Sequence, residues 1–335
     1  MRYRSTGLAF LLGMLLVVPH APVASAEPDA ALTLERTIPL KGVAGRIDHM
    51  AIDLGRKHLF VAELGNNTVD VVDVNSGQIR HRIAGLKEPQ GVAYVGAADL
   101  VAVANAGDGS VRLFRGDDFT FVATIALGDD ADNIRIDPRT GRLVVGYGSG
   151  GLAIIDPTSR SVVADIKLAA HPEGFQIDPR SQKAFVNVPD ARQIAVVDLQ
   201  ARQQVTTWTV PEARANFPMA FDGAGERLAV VFRKPARLVL LETATGAVVS
   251  NRLTCGDADD VFFDAKRHRL YVSCGDGVID VFDDSSTGDR VLDRIKTSSG
   301  ARTSLFVPEL DRLFVAARAG MLGSDAAILV FQPTR

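Results

Sequence analysis

The chain is poor in the residues that mark most catalytic and nucleic-acid-binding chemistry. Its 335 residues contain 2 Cys, 1 Trp and 6 His, and only 6% are aromatic. Stacking platforms for bases or sugars would therefore be few. The histidines, at 20, 49, 58, 81, 171 and 268, form no HxH or HExxH pattern, and the cysteines form no CxxC, so no transition-metal motif is present. There is no Gly-x-Ser-x-Gly elbow and no dinucleotide fingerprint. The loop Gly148-Ser149-Gly150-Gly151 leads into no helical pattern, which argues against phosphate cradling. A net charge of -3 speaks against a broad nucleic-acid surface. Beyond residue 26, no apolar run approaches the roughly 18 residues that a membrane span needs.

The first 26 residues read differently from the rest. Arg2 and Arg4 open a short basic start, Leu8 to Val18 is apolar, and Ala24-Ser25-Ala26 supplies small residues at a cleavage position. That is the pattern of a secretory signal peptide. Residues 27–335 are then expected to form one domain, periplasmic or secreted.

A repeat organises that domain. A short apolar strand ends in an acid at Asp53, Asp137, Asp178, Asp222 and Asp264, with weaker copies ending at Val95 and Val307, spaced by 41 to 44 residues. A second marker, at Asp73, Arg115, Asp156, Asp198, Glu242 and Asp283, keeps the same period. Each unit holds four short strand-like runs. In the first these are His49–Asp53, His58–Glu63, Thr68–Asp73 and Gln78–Ile83, bounded by turn residues. No stretch has the apolar period of a helix. Four strands per unit of about 42 residues predict an all-β, seven-bladed β-propeller. Its blades begin near 48, 90, 132, 173, 217, 259 and 302. The seventh unit lacks a fourth strand, while Leu32–Leu40 precedes the first blade without a partner. The N-terminal strand is therefore expected to close the last blade and hide a sheet edge.

The segments Leu59-Phe60-Val61-Ala62, Leu270-Tyr271-Val272-Ser273 and Leu313-Phe314-Val315-Ala316 are each followed by a loop and an apolar strand. These resemble YVTN-family repeats, and the domain as a whole resembles YncE-like propeller proteins. The resemblance implies a periplasmic, WD-like propeller that binds a ligand or protein partner without an assigned reaction. A related propeller family contains calcium-dependent lactonases. It supplies the alternative of a divalent-metal hydrolase, with no catalytic residue carried over.

In a propeller, the loop entering the innermost strand and the loop between strands two and three share one funnel-shaped face. Five residues before each turn marker stand Asp48, Gln90, Asp132, Glu173, Phe217, Asp259 and Arg302. Four before stand His49, Gly91, Asn133, Gly174, Pro218, Asp260 and Thr303. Second strands exit at Glu63, Asn105, Tyr147, Asn187, Arg233, Cys274 and Arg318. The expected ligand-binding set is Asp48, His49, Glu63, Gln90, Asn105, Asp132, Asn133, Glu173, Asp259, Asp260, Arg302 and Arg318. Gathered carboxylates raise one another's pKa unless cations or water intervene. These positions are read in three ways: as loop caps and channel-water sites, as contacts to an organic or peptide ligand, or as ligands to a divalent cation such as Ca²⁺. The cation would take Asp48, Asp132, Asn133 and Glu173, although a seven-bladed channel is wide for such ligation. If a reaction occurs, His49 beside Asp48 is the expected base.

Cys255 lies in the loop entering blade six and Cys274 at the end of that blade's second strand. Antiparallel pairing brings both to one face, so a disulfide is expected, with a free pair or a copper site as the alternative. The longest insertion, 318–326, offers Met321 and Leu322 as an apolar partner edge. The protein is expected to be a monomer.

Overall fold

The computed structural model describes Met1 and residues 30–222, 224–284, 291–320 and 324–334. The expected signal segment beyond Met1, and Met321 and Leu322, lie outside the described residues. Among the described residues, twenty-eight strands form seven four-stranded antiparallel sheets. The first blade consists of Met50–Asp53, His58–Glu63, Thr68–Asp73 and Gln78–Ile83. Three of these ranges match the sequence reading, and the innermost strand starts one residue later.

The repeated acids act on the turns. Asp53 Oδ1 accepts the backbone N–H groups of Gly55 (2.8 Å) and Arg56 (3.2 Å), and Asp137 and Asp264 act in the same way. The second marker does this between strands three and four, where Asp73 Oδ1 accepts from Asn75 and Ser76, both at 2.9 Å. An Asx turn uses a carboxylate to satisfy backbone donors that a tight turn cannot pair. The period in the sequence therefore records turn chemistry, not catalysis.

Strands two and three of each blade are apolar on both faces, because each face meets a neighbouring sheet. Leu59, Phe60, Val61 and Ala62 are all fully buried. The core is divided into seven clusters, one between each adjacent pair of blades. Seven interfaces for seven sheets require a closed ring. The closing interface packs Ile38 and Leu40 of the N-terminal strand with Phe314 and Ile328 of blade seven against Leu59 and Val61 of blade one. Leu32–Leu40 pairs antiparallel with Ala326–Pro333, as expected from its lack of any other partner. Cys255 and Cys274 form a disulfide. Among the described residues, no helix is long and apolar enough to cross a membrane.

Candidate functional site

The innermost strands surround the ring axis, and one local irregularity decides what they present to it. In blade one, Asp48 N–H donates to the Ala62 carbonyl (2.7 Å) and Ala62 N–H donates to the His49 carbonyl (3.1 Å), so two residues oppose one. Glu173 and Gly174 oppose Asn187 in the same way. The ladder also slips by one residue around Gln90-Gly91, Asp132-Asn133, Phe217-Pro218 and Asp259. These are β-bulges, which turn a side chain out of strict alternation. Because of them, successive residues such as Asp48 and His49, or Asp132 and Asn133, both reach the lumen.

The resulting cavity measures about 350 Å³. Its wall carries Asp48, His49, Gln90, Asp132, Asn133, Glu173, Asp259, Asp260 and Arg302 from the expected set. It also carries Arg46, Asp130, Arg135, His171, Phe217, Pro218, Met219 and Arg233. Three expected residues are placed elsewhere. Glu63 is fully buried, accepts from the Thr68 hydroxyl and lies beside Asp70 and Arg82 within the sheet. Asn105 is fully buried and spends its amide on Lys87 N–H and on the carbonyls of Val103 and Ser110. The exit positions therefore do not share one environment: Glu63 and Asn105 are buried, whereas Arg233 reaches the wall. Arg318 is outside the wall; burial, then Arg302 and Arg46, depress its pKa.

Charge in the cavity is organised by pairs. Arg46 Nη2 donates to Asp48 Oδ2 (2.5 Å) and to Gln90 Oε1 (3.3 Å). Arg233 Nη2 donates to Asp259 Oδ1 at 2.5 Å and stacks 3.7 Å from the Phe217 ring centre. Arg302 Nη1 donates to both oxygens of Asp257 (2.7 and 2.9 Å), and its Nε lies 2.9 Å from Asp259 Oδ2. Asp260 Oδ2 accepts the Ser304 N–H at 2.7 Å.

The two histidines face this acid-rich wall. His49 Nε2 meets the Asn133 amide at 2.9 Å and lies 3.9 Å from Asp48 Oδ1. Burial opposes a charge on His49, but Asp48, Asp260 and Asp132 together raise its pKa. His171 contacts the Gly148 carbonyl through Nδ1 (2.6 Å), and its Nε2 lies 3.8 Å from Asp132 Oδ2. Asp132 lifts the His171 pKa to about 9 against the desolvation that opposes it. Burial, with neighbouring carboxylates, holds Glu173 and Asp260 each near 7. Asp132 Oδ1 is buried without a hydrogen-bond partner among the described residues, and so is the free end of the Asn133 amide.

These residues do not fit the expected divalent-cation set. Asp48 is tied to Arg46, Asp132 sits against His171, and one end of the Asn133 amide is taken by His49. Among the described residues, no three His, Cys, Asp or Glu side chains are grouped to hold a metal ion.

No family model and no curated protein matches the chain. Among solved structures, the chain is similar to Kuenenia stuttgartiensis hydrazine synthase. The match covers 92% of this chain and 98% of that one, at 17% identity and a TM-score of 0.73. At that identity the likeness supports the seven-bladed propeller fold and carries no function across.

Proposed function

We propose that this protein is an exported, non-catalytic binding propeller whose axial cavity takes a small polar ligand. The observation that carries this reading is Asp132 Oδ1, on a wall residue 6% exposed, which is buried without a hydrogen-bond partner among the described residues, as is the free end of the neighbouring Asn133 amide. Leaving a buried polar group unpaired costs about 1–3 kcal/mol, and more when it is charged. Two such groups on one bulge are what a site built to receive hydrogen bonds would have. The wall contains no Ser, Thr, Cys, Tyr or Lys, so no hydroxyl, thiol or amine nucleophile lines this cavity with the two histidines. That favours binding over acyl transfer. The ungrouped carboxylates give the metal-hydrolase alternative no support. The leader, the YVTN-like repeats and the disulfide agree with a periplasmic protein.

Native mass spectrometry of the protein taken from periplasmic extract without desalting tests this reading. The expected spectrum shows the chain beginning at Glu27 and carrying a small-molecule adduct that Asp132→Ala/Asn133→Ala loses. A bare wild-type mass, together with no thermal shift across amines, amino acids, carboxylates and Ca²⁺, contradicts it.

A further inference from the structure

We infer that the ligand of the axial cavity is a small zwitterion bearing a primary ammonium and a carboxylate; this rests on the binding role proposed above. Two unmet needs of opposite sign lie on a single strand, Ala131–Ile136. The first is for a donor. Asp132 Oδ1 is buried and unpaired, and the Glu173 carboxylate in the adjoining blade makes no side-chain hydrogen bond or ion pair among the described residues. A primary ammonium supplies three diverging N–H donors and one positive charge, which suits two neighbouring carboxylates.

The second need is for an anion. Arg46, Arg233 and Arg302 each have a carboxylate within ion-pair distance. Arg135 has none among the described residues. It donates to its own strand at the Ile134 carbonyl (2.8 Å) and lies 5.6 Å from the Phe175 ring centre. Its pKa is depressed by burial, against the pull of Asp260 and Asp132, so this is a cation held short of compensation. A carboxylate on the ligand would supply it.

A simple amine meets only the first need and a simple carboxylate only the second. Six carboxylates line the wall against four arginines and a protonated His171, with Glu173 and Asp260 each near 7, so the wall is close to neutral and a ligand carrying both charges keeps it so. A quaternary ammonium carries the charge but no N–H donor. The unpaired end of the Asn133 amide is an acceptor when His49 Nε2 accepts, and a donor when that nitrogen is protonated. It can serve either end of a zwitterion.

Isothermal titration with matched probes tests the class: glycine, β-alanine and 4-aminobutyrate against n-butylamine, butyrate, 1,4-butanediol and choline. The expected order is zwitterion, then amine, then the rest, with at least about tenfold between the best zwitterion and butyrate. Asp132→Asn should cut zwitterion and amine binding about tenfold or more with the chain still folded by circular dichroism. Arg135→Met should abolish the zwitterion's advantage over the amine, and Arg135→Lys should restore part of it. If Arg135→Met does not fold, the Lys variant and Asp132→Asn decide alone. Butyrate or butanediol binding as tightly as the zwitterions overturns the class. A protein that carries a native adduct but binds none of the zwitterions also loses the class while keeping the binding role. A protein with neither adduct nor probe binding loses both.

Discussion

The ring of His49 and the amide of Asn133 meet at 2.9 Å, although they belong to blades one and three. Blade two stands between them and presents Gly91 at the equivalent position. A β-carbon there would fall 2.1 Å from the Asp132 carbonyl oxygen. The absence of a side chain lets the blade-three bulge advance until it reaches blade one. The channel is therefore narrower on this side than a regular seven-bladed ring implies.

Gly91→Ala should act through that contact. The added methyl must displace backbone, at about 1–3 kcal/mol or more by the measure of overpacked cores. The melting temperature should fall, and the His49 ring signal should move in the NMR spectrum as Asn133 is pushed away. An unchanged His49 signal would show that the approach does not depend on the glycine.

Much of the ring was legible because turn acids recur on a fixed period, and a period survives without any knowledge of packing. The unpartnered Leu32–Leu40 was enough to close the circle. The cavity was harder to read. The repeat register placed both Asp132 and Asn133 at the funnel, but strand alternation lets only one residue of each adjacent pair face the axis, so the bulge that brings both there was not legible. Alternation also gave no warning that Glu63 and Asn105, at strand exits, are buried and held by partners of their own blade and its entry loop. Asp130 and Asp257 precede the strands they serve, at backbone φ of +37° and +57°. Loop conformations of that kind are not written in an apolar pattern.

Glu63 gives the stability a pH dependence. Burial, with Asp70 alongside, lifts its pKa from 4.5 to about 8. A folded pKa above the unfolded value means the stability is fully present below about 4.5 and is lost as pH rises through about 8. Glu63→Gln keeps the shape of the neutral acid and removes the titration. Wild type should lose stability relative to Glu63→Gln between pH 5 and pH 9 in denaturant melts. Parallel curves across that range would place the proton elsewhere.

His171 should titrate near 9 because Asp132 holds its charged form. Asp132→Asn should return the pKa toward 6.5, read from the ring carbon shifts. A wild-type value at or below 6.5 would mean that the two side chains do not interact.

Reducing the Cys255–Cys274 bridge opens a loop with a sequence separation of 19. The chain-entropy model sets the loss at about 3 kcal/mol. Cys255→Ala/Cys274→Ala should lower the unfolding free energy by roughly that amount and should change ligand affinity little, since neither residue lines the cavity. A large loss of affinity at full stability would tie the bridge to the site.

Ile38 tests closure of the ring. It is 2% exposed and lies in the cluster shared by blades seven and one. Ile38→Ala should cost about 2–5 kcal/mol, as for a core residue. A surface-like change in a denaturant melt would mean the N-terminal strand is not docked in solution.

Binding on the ring axis is reported directly by the histidines. His49 and His171 line the cavity, whereas His58 and His81 pack beside Phe119 and, like His268, are not in its wall. Small molecules released from the denatured protein would be returned to fresh, ligand-stripped protein while the histidine ring signals are followed by NMR. His49 and His171 are expected to shift and the other three to stay in place. Shifts confined to His58, His81 or His268, or no shift at all, would contradict binding on the axis.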